Sequence, residues 1–244
     1  MINRNQSVVP APGDARPKNR LLAGLPKSDW RRLTPHLRTI PVSAKYVFYR
    51  ANDPIYDIYF LNGGVASMTM AMRTGDVVEL ATVGDEGLLG ISALWGAERS
   101  AGDAFMQITD TSAEALPIPI FRREIQRRGG LFDACQRYSQ AFMLLMMQSI
   151  ACTATHSVQQ RCCRWLLMTH DRTHVDEFRL SHEFLAMMLG ASRPTVTVVA
   201  GTLQKAGLIK YRHGRITVLN REGLERGACE CYQTVRAHFD RLGL

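Results

Sequence analysis

Residues 180–207, LSHEFLAMMLGASRPTVTVVAGTLQKAG, determine the fold of the C-terminal part of this chain. Ser181 and Ser192 each precede a run with helical spacing of apolar residues. A serine hydroxyl at that position can accept the free amides of a first helical turn. Gly190 and Gly207 follow the two runs, where helices commonly end. The stretch therefore predicts two short helices joined by a tight turn.

The spacing of small and apolar residues in the two helices predicts a helix-turn-helix. Ala186 is small enough for two helices to cross closely, and Val196 and Val199 are placed to bury the inner face of the second helix. The outer face is left with Arg193, Thr195, Thr197, Val198, Thr202 and Lys205. Such short polar and basic side chains can enter a DNA major groove, which is about 12 Å wide.

A β-hairpin with basic residues at its tip is predicted directly after the second helix. Leu208–Tyr211 and Arg215–Val218 flank Arg212-His213-Gly214, so helix, turn, helix and hairpin together predict a winged helix. Residues 158–224 contain ten Lys or Arg against five Asp or Glu, a net +5, and the whole chain carries +8. This balance favours an anionic partner such as nucleic acid, with a small helical domain for protein contacts as the alternative.

Many short strands are predicted between Tyr46 and Ile120. Apolar runs alternate there with turn signals such as Asn52-Asp53-Pro54 and Asn62-Gly63-Gly64. The predicted strands are Tyr46–Tyr49, Ile55–Leu61, Val65–Met72, Val77–Val83, Phe105–Thr109 and Thr111–Ile118. Short strands spaced by about 8–12 residues indicate a barrel or jelly roll rather than a parallel sheet. Ahead of them a helix is predicted over 28–37, with Ser28 as its N-cap.

The longest helical pattern of the chain runs from Phe132 to Ser157. Its a/d-like seam consists of Phe132, Cys135, Ser139, Phe142, Met146 and Ser149. Leu144, Leu145 and Met147 widen the apolar surface beyond one side of the helix. We therefore predict a helix that dimerises with a second copy, and an internal core helix is the alternative.

Composition excludes several classes of protein. The chain has 244 residues, of which 46% are hydrophobic and 21% charged, the balance of a globular protein with one or two domains. No apolar run approaches the ~18 residues of a membrane helix, so a cytoplasmic protein without a membrane partner is expected. Six cysteines predict reduced, buried thiols rather than a disulfide framework. No catalytic motif of the G-x-S-x-G, phosphate-loop or H-E-x-x-H type occurs, so no catalytic residue and no enzymatic activity are predicted.

In these motifs the chain resembles the Crp-Fnr superfamily of bacterial transcription regulators. The most specific resemblance lies in Leu180–Val196 and Leu203–Ile209, followed by Asp57–Val65, which is similar to a strand and turn of the sensor domain. The resemblance implies an α+β fold in four parts: a flexible tail over 1–20, a cyclic-nucleotide-binding-like jelly roll over 21–130, a dimerisation helix over 131–157 and a winged helix-turn-helix DNA-binding domain over 158–244.

The resemblance further implies a homodimer that binds a palindromic promoter site in double-stranded DNA. Control by a small-molecule effector would act through the N-terminal domain, and RNA polymerase is a further candidate partner. The alternative is a protein-interaction or ligand-sensing module whose DNA-binding domain is degenerate.

Residue roles at the DNA follow from the same resemblance. Arg193 would read a base edge, because arginine pairs bidentately with guanine, and Ser192 and Thr195 would hold phosphate. The family often has an acidic residue after this arginine and a second arginine five positions beyond it. Here these are Pro194 and Val198, so the best-known half-site is not expected. The predicted DNA-binding set is Ser192, Arg193, Thr195, Thr197, Thr202, Lys205, Arg212 and His213.

The effector site departs from the pattern of the cyclic-AMP-binding members. Those members have a Gly-Glu pair, nine residues and then Arg-Ser, whereas twelve residues separate Glu86 from Arg99 and Ser100 here. Met146-Met147 stands where the family's nucleobase-contacting Thr-Ser pair would fall. Cyclic AMP is therefore not expected. Glu86, Arg99 and Ser100 are the candidates for binding another small ligand, and a degenerate or ligand-independent sensor is the alternative.

No metal site and no cofactor are predicted. The iron–sulfur branch of the family needs an N-terminal cysteine cluster, and no cysteine precedes Cys135. His170 and His174 have passable metal-ligand spacing but are expected to be solvated. Cys229 and Cys231 are predicted on one helix, where their thiols would point about 200° apart and could not chelate one ion together. Thiol redox sensing stays open as an alternative.

Overall fold

The computed structural model describes residues 9–10, 16–108 and 111–244. These residues form two compact units. The first comprises Met1–Ala66, Val83–Gln140 and Leu244, within the limits of the described residues, and the second comprises Ser67–Thr82 and Ala141–Gly243. The hairpin segment 67–82 therefore belongs to the same unit as the C-terminal helices.

The first unit contains an antiparallel five-stranded sheet in the order β1-β2-β9-β4-β7. Its strands are β1 (Val9–Pro10), β2 (Arg38–Val42), β4 (Asp57–Leu61), β7 (Leu88–Leu89) and β9 (Thr111–Pro117). In the central pair Ile58 lies opposite Leu116 and Phe60 opposite Glu114. Ile58, Phe60 and Leu116 are fully buried, so this pair forms the core of the sheet.

A second sheet has four strands in the order β3-β8-β5-β6. These strands are β3 (Val47–Tyr49), β5 (Val65–Ala71), β6 (Val77–Val83) and β8 (Asp103–Ile108). In β8 every second residue is buried, namely Ala104, Met106 and Ile108, which is the period of a strand with one face in a core. The predicted α+β class, with antiparallel sheets followed by a long helix and a winged helix-turn-helix, is confirmed.

The helices of the first unit differ from the expectation. They are α1 (Arg20–Ala23), α2 (Lys27–Leu33) and α3 (Ile118–Gln126). The predicted N-cap at Ser28 is wrong, because α2 already begins at Lys27 with Pro26 in the N-cap position; the helix passes into a 3-10 turn at Thr34. Neither β2 nor α3 was predicted. The apolar residues at the start of α3 continue the pattern of β9, and the helix becomes evident only from Pro119 in its first turn.

Asn19, inside the predicted tail, is part of the folded first unit. Its side chain is fully buried, and its Nδ2 donates to the carbonyls of Leu61 at 2.9 Å and Gly87 at 2.8 Å. Its Oδ1 accepts the amide of Leu22 at 3.2 Å and so caps α1. The packed chain therefore begins before the boundary expected at residue 21. Residues 1–8 and 11–15 of the tail lie outside the described residues.

The long helix α4 extends over Gly130–Thr155, close to the predicted range. Two residues of the predicted seam, Cys135 and Phe142, are buried within the chain itself, which corrects their assignment to a contact between chains. Phe132, Ser139, Met146 and Ser149 are half-buried. The large apolar side chains that α4 exposes are instead Met143, Met147 and Ile150. The a/d spacing alone did not distinguish the inner face of the helix from its outer face.

The remaining elements belong to the second unit. They are α5 (Val158–Thr173), β10 (Glu177–Arg179), α6 (His182–Leu189), α7 (Arg193–Lys205), β11 (Ile209–Arg212), β12 (Arg215–Val218), α8 (Arg221–Gly227) and α9 (Cys231–Arg241). α5 begins at a capping box that Ser157 and Gln160 form. β10, a strand that the sequence did not predict, pairs with β12.

No single helix among residues 9–10, 16–108 and 111–244 is long and apolar enough to cross a membrane. Taken together, α6 and α7 have the length and apolar composition of a membrane span, but they are bent by 105° where they join.

Gly87 tests how tightly the first unit is packed. A Cβ at this position would lie 2.5 Å from ring and hydroxyl atoms of the buried Tyr138. We expect Gly87→Ala to lower the free energy of unfolding by about 1–3 kcal/mol through overpacking. Gly201→Ala is the control, since nothing lies within 4 Å of its Cβ and alanine favours a helix interior. Urea titration measures the free energy of unfolding of both variants. If Gly87→Ala were as stable as Gly201→Ala, the close packing of Gly87 against Tyr138 would be contradicted.

Candidate nucleic-acid interface

Two capped helices and a glycine turn build the helix-turn-helix. The Ser181 hydroxyl accepts the amide of Phe184 at 3.1 Å, and the Ser192 hydroxyl accepts the amide of Thr195 at 3.3 Å. Gly190 ends α6 in the left-handed conformation, with φ 54° and ψ 44°, which glycine adopts without a steric penalty. The two helix axes are bent by 105° at this turn. This angle lies within the range typical of helix-turn-helix motifs.

The two faces of α7 separate cleanly into buried and exposed residues. Val196, Val199 and Leu203 are buried, as is Ala186 of α6, at which the sequence predicted a close crossing. The predicted contact residues Arg193, Thr195, Thr197, Thr202 and Lys205 are exposed. Val198, on the same outer face, is 69% exposed, a large fraction for a valine. A continuous polar face with one apolar residue is thus presented to solvent.

The exposed cations of this region divide into paired and free ones. Within the described residues, the side chains of Arg193, Lys205 and Arg212 make no hydrogen bond or ion pair with another side chain. In contrast, the guanidinium of Arg215 on the neighbouring strand lies 2.7 Å from a carboxylate oxygen of Glu177. The free cations are available to an anionic partner without the loss of an existing contact.

Most amides in the first turn of α7 are already engaged and cannot bind an anion. Pro194 has no N–H, the Thr195 amide is bonded to the Ser192 hydroxyl, and the Val196 amide is bonded to the Ser192 carbonyl at 3.1 Å. The hydroxyls of Ser192 and Thr195 also lie 2.8 Å apart and bond to each other. In the described structure the amide of Arg193, the first residue of the helix, has no intrachain acceptor. A phosphate at this end would therefore bind to that amide and share the two hydroxyls.

The wing is a three-stranded sheet in the order β10-β12-β11. Arg212 pairs with Arg215 across the tip, where His213 and Gly214 both have positive φ, at 51° and 72°. Two positive φ values define the type I′ turn that suits the twist of a two-residue hairpin. Arg212 and His213, both predicted to contact DNA, are exposed at this tip.

His182 connects the three parts of the motif, a role that sequence reasoning missed. Its Nδ1 lies 3.0 Å from Thr197 Oγ1, and its ring stacks on Tyr211 of the wing with centroids 4.1 Å apart. Because Thr197 donates its own hydroxyl proton to the Arg193 carbonyl, Nδ1 is the donor to Thr197. Burial, together with the nearby charge of Arg193, lowers the pKa of His182, so the neutral ring is favoured. These partners are 15 and 29 positions away in the sequence, which no local pattern reveals.

The three candidate effector residues make separate contacts in the first unit. Glu86 is buried, and its carboxylate accepts the Gly84 amide at 3.2 Å. Arg99 is exposed and donates to the Asn52 carbonyl at 2.7 Å, while the Ser100 hydroxyl donates to the Gly102 carbonyl. Their contacts tie Arg99 and Ser100 to turns of the backbone. Their role toward a ligand stays a prediction.

The histidines and cysteines considered as metal ligands are placed differently. Both ring nitrogens of His170 are engaged, by Asp176 at 2.8 Å and by Arg221 at 2.7 Å. The six cysteines are buried and form no disulfide. The prediction that Cys229 and Cys231 share a helix is wrong, since α9 begins only at Cys231 and Cys229 lies in the turn before it. The angular argument against joint chelation by these two thiols therefore does not apply.

Comparisons with known proteins agree with this geometry. Residues 160–227 match the family model of the Crp-like helix-turn-helix domain. The global nitrogen regulator of Synechococcus elongatus is 25% identical over 187 residues, which cover 72% of this chain and 82% of that protein. The transcriptional regulator SdrP of Thermus thermophilus is 27% identical over 168 residues, which cover 66% and 79%.

Solved structures share the fold. A Crp/Fnr-family regulator from Eubacterium rectale superposes with a TM-score of 0.67 at 18% identity, covering 86% of this chain and 97% of that one. A Crp-family regulator from Thermus thermophilus gives a TM-score of 0.65 at 22% identity, covering 77% and 95%. The relatives found by sequence are regulators of transcription and not enzymes. Residues 160–227 therefore form a Crp-like helix-turn-helix domain, and over most of its length the chain is similar to DNA-binding transcription regulators of the Crp/Fnr family.

Proposed function

We propose that this regulator binds a palindromic DNA site as a homodimer and that its N-terminal half controls that binding. The proposal of DNA binding rests on the exposed outer face of α7. Three cations that have no partner within the described residues flank this face, namely Arg193, Lys205 and Arg212. A helix of 13 residues with short polar side chains fits the major groove. Two such helices about 34 Å apart, one turn of DNA, would read the two halves of an inverted repeat.

Arg193 is the residue best placed for base reading. It is the first residue of α7, exposed and unpaired, and recognition helices contact base edges with their N-terminal residues. The guanidinium fork matches the O6 and N7 acceptors of guanine. Pro194 and Val198 provide no hydrogen bond donor beyond it, so the half-site should contain fewer directly read positions than the best-known one of the family.

Lys205 and Arg212 are suited to phosphate rather than to bases. Lys205 ends α7, and Arg212 stands at the wing tip, so both lie away from the N-terminal end that would enter the groove. Contacts to phosphate carry no sequence information but release counterions, which makes the affinity depend on salt. The two residues therefore set the strength of binding, and Arg193 sets part of its selectivity.

A homodimer is supported by an apolar stripe on α4. Met143, Met147 and Ile150 follow the spacing of one helix face and are 60%, 60% and 71% exposed in the single chain. Large apolar side chains in a contiguous stripe commonly mark a contact with another protein. A second copy of the same helix would cover this stripe by self-complementary packing.

Control by the N-terminal half is supported by hydrogen bonds from the hairpin segment 67–82. Trp165 of α5 donates its indole N–H to Glu79 at 3.0 Å, and Ser67 donates to the same carboxylate at 2.7 Å. Arg172 of α5 donates to the Thr82 hydroxyl at 3.2 Å. A ligand that moved this hairpin would displace α5, on which the helix-turn-helix packs.

Arg193→Ala should relax selectivity without abolishing binding. We expect a loss of discrimination of about 1–3 kcal/mol at one base position of each half-site. Lys205→Ala and Arg212→Ala should instead weaken binding to all sequences alike and reduce the salt slope by about 1. Selection of bound DNA from a random pool, followed by affinity measurements at several salt concentrations, checks both expectations.

Arg215→Ala is the matched control for the phosphate contacts, because its charge is already paired with Glu177 and its loss should alter the salt slope less. Unchanged selectivity in Arg193→Ala would refute the base-reading role. An equal salt slope in all variants would refute the phosphate roles.

Ile150→Glu should dissociate the homodimer. A carboxylate in the apolar stripe would have to be desolvated in each of two copies, which we expect to raise the dimer dissociation constant at least about tenfold. Gln159→Glu adds the same charge at an exposed site outside α4 and should leave the dimer intact. Sedimentation equilibrium distinguishes the two. A dimer of unchanged stability in Ile150→Glu would place the subunit contact elsewhere.

Glu79 should make stability depend on pH. Burial raises the pKa of this carboxyl to about 7, although the hydrogen bonds from Ser67 and Trp165 oppose the shift. The folded chain then holds a proton that the unfolded chain releases, so the free energy of unfolding falls as pH rises from about 4.5 to about 7. We expect this decrease in the free energy of unfolding to be about 2 kcal/mol, a value reduced to allow for the partial exposure of the Glu79 side chain. Glu79→Gln should abolish it.

Urea unfolding at pH 5 and pH 8 measures this difference, with Glu222→Gln as the exposed control. Equal pH dependence in Glu79→Gln and the parent chain would show that the carboxyl is ionised throughout that range.

A further inference from the structure

Three cysteines and one histidine meet at the end of α4 in the second unit. Cys152 lies in the last turn of α4, and His156 follows four residues later on the same face. Cys229 precedes Glu230 in the turn before α9, and Cys231 is the first residue of that helix. The three cysteines are buried and the histidine is half-buried.

The distances between the candidate ligand atoms match a single small ion. All four atoms lie within 4.8 Å of one another. Cys152 Sγ is 3.5 Å from Cys229 Sγ, and Cys231 Sγ is 3.6 Å from His156 Nδ1. Tetrahedral zinc with bonds of about 2.3 Å to sulfur and about 2.0 Å to nitrogen has sulfur–sulfur edges of about 3.8 Å and sulfur–nitrogen edges of about 3.5 Å. The cluster therefore needs only small shifts to enclose an ion.

We propose that Cys152, His156, Cys229 and Cys231 form a tetrahedral binding site for one zinc ion. Three thiolates and one imidazole are a ligand set typical of structural zinc sites, with no position left open for water. An iron–sulfur cluster fits less well, because its thiolates bind different iron atoms and must stand farther apart than these do. A Cys152–Cys229 disulfide would involve only two of the four clustered side chains.

The surrounding side chains orient the proposed ligands. His156 Nε2 lies 3.1 Å from a carboxylate oxygen of Glu230, which directs the other ring nitrogen, Nδ1, toward the thiols. A carboxylate behind a histidine ligand fixes its tautomer in most metal sites. The Gln148 amide donates to Cys231 Sγ at 3.1 Å. The Thr155 hydroxyl lies 3.2 Å from His156 Nδ1, and a bound ion would replace that hydrogen bond.

Nearby positive charge balances the net charge of the loaded site. Three thiolates with a divalent ion carry a net charge of −1. Arg164 is buried and donates to the hydroxyl of Ser149, three residues before Cys152 on α4, at 3.0 Å, so a positive charge lies beside the site. Cys231 stands at the N-terminus of an 11-residue helix, whose backbone dipoles also favour a negative ligand.

The site would join two distant parts of the chain. Cys152 and Cys229 are separated by 77 positions, and the segment between them contains α5 through α8 with the entire helix-turn-helix. Closing so long a loop with an ion constrains the unfolded chain, so that metal binding contributes to folding. The zinc would fix α9 to the end of the long helix whether or not the proposed dimer forms.

The full chain is purified under anaerobic, reducing conditions with Zn(II) and then freed of loosely held metal by gel filtration. We expect one zinc ion per chain by elemental analysis. X-ray absorption of this sample should resolve three sulfur ligands and one nitrogen ligand. Replacement by Co(II) should give thiolate-to-cobalt charge-transfer bands and the intense visible bands of tetrahedral cobalt.

Variants identify the ligands. Cys152→Ala, Cys229→Ala and Cys231→Ala should each lose the stoichiometric zinc, and His156→Asn should lose the nitrogen ligand. Glu230→Gln should weaken zinc binding by about 10–100-fold. Cys162→Ala and Cys163→Ala are matched controls, being buried cysteines of the same unit outside the cluster, and should keep the metal.

Several results would overturn the proposal. These are a parent chain that retains neither Zn(II) nor Co(II), a metal bound only by nitrogen and oxygen, full zinc content in Cys152→Ala, an iron–sulfur chromophore, or a Cys152–Cys229 disulfide in the reduced preparation. If a cysteine variant fails to fold, the X-ray absorption spectrum of the parent chain decides by itself.

Discussion

Burial of one face of α7 is the constraint on which the DNA-binding part of the structure depends. Val196, Val199 and Leu203 are all buried, and each such side chain contributes about 1.5–3 kcal/mol when removed from water. Because a helix is rigid, the residues that are buried fix the direction of the residues that are not. The same packing that stabilises the domain therefore points Arg193 and Thr197 outward. The Ser192 cap and the Gly190 turn determine where this helix starts. They therefore determine which side chains lie at its N-terminal end.

The features that could be predicted from sequence are those encoded locally. The β6 strand over Val77–Val83, the caps at Ser181 and Ser192 and the glycine turn are each specified by neighbouring residues, and the structure agrees with them. The features that were missed join distant positions. β10 becomes a strand only through β12, and His182 meets Thr197 and Tyr211 only after the chain has folded. In the candidate DNA interface, the helical periodicity of the sequence predicted which contact residues are exposed. It did not predict the hydrogen bonds that these residues make with one another.

Some cations of the basic C-terminal part are paired with carboxylates and others are not. Only the unpaired ones are fully available to bind an anionic ligand. Arg221 contacts Asp171 at 2.7 Å, Glu225 at 3.1 Å and the Tyr232 hydroxyl at 2.6 Å, so it holds α8 and α9 against α5. A charge in such a network is already neutralised and contributes little to the attraction of phosphate. The net charge of the segment therefore overstates how many of its cations face a partner, and the count of unpaired, exposed cations is the better measure.

The end of α4 shows how one helix can take part in two different contacts. Ile150 is 71% exposed and Cys152, two residues further, is fully buried, because two residues turn a helix by about 200°. The apolar stripe and the thiol cluster therefore occupy opposite faces of the same turns. α5 begins at once after this point, with a capping box that fixes the direction of its first turn. A displacement of α4 caused by a contact at the stripe would reach the DNA-binding domain through this short junction between α4 and α5. A zinc ion bound beside the junction would keep the last turn of α4 helical.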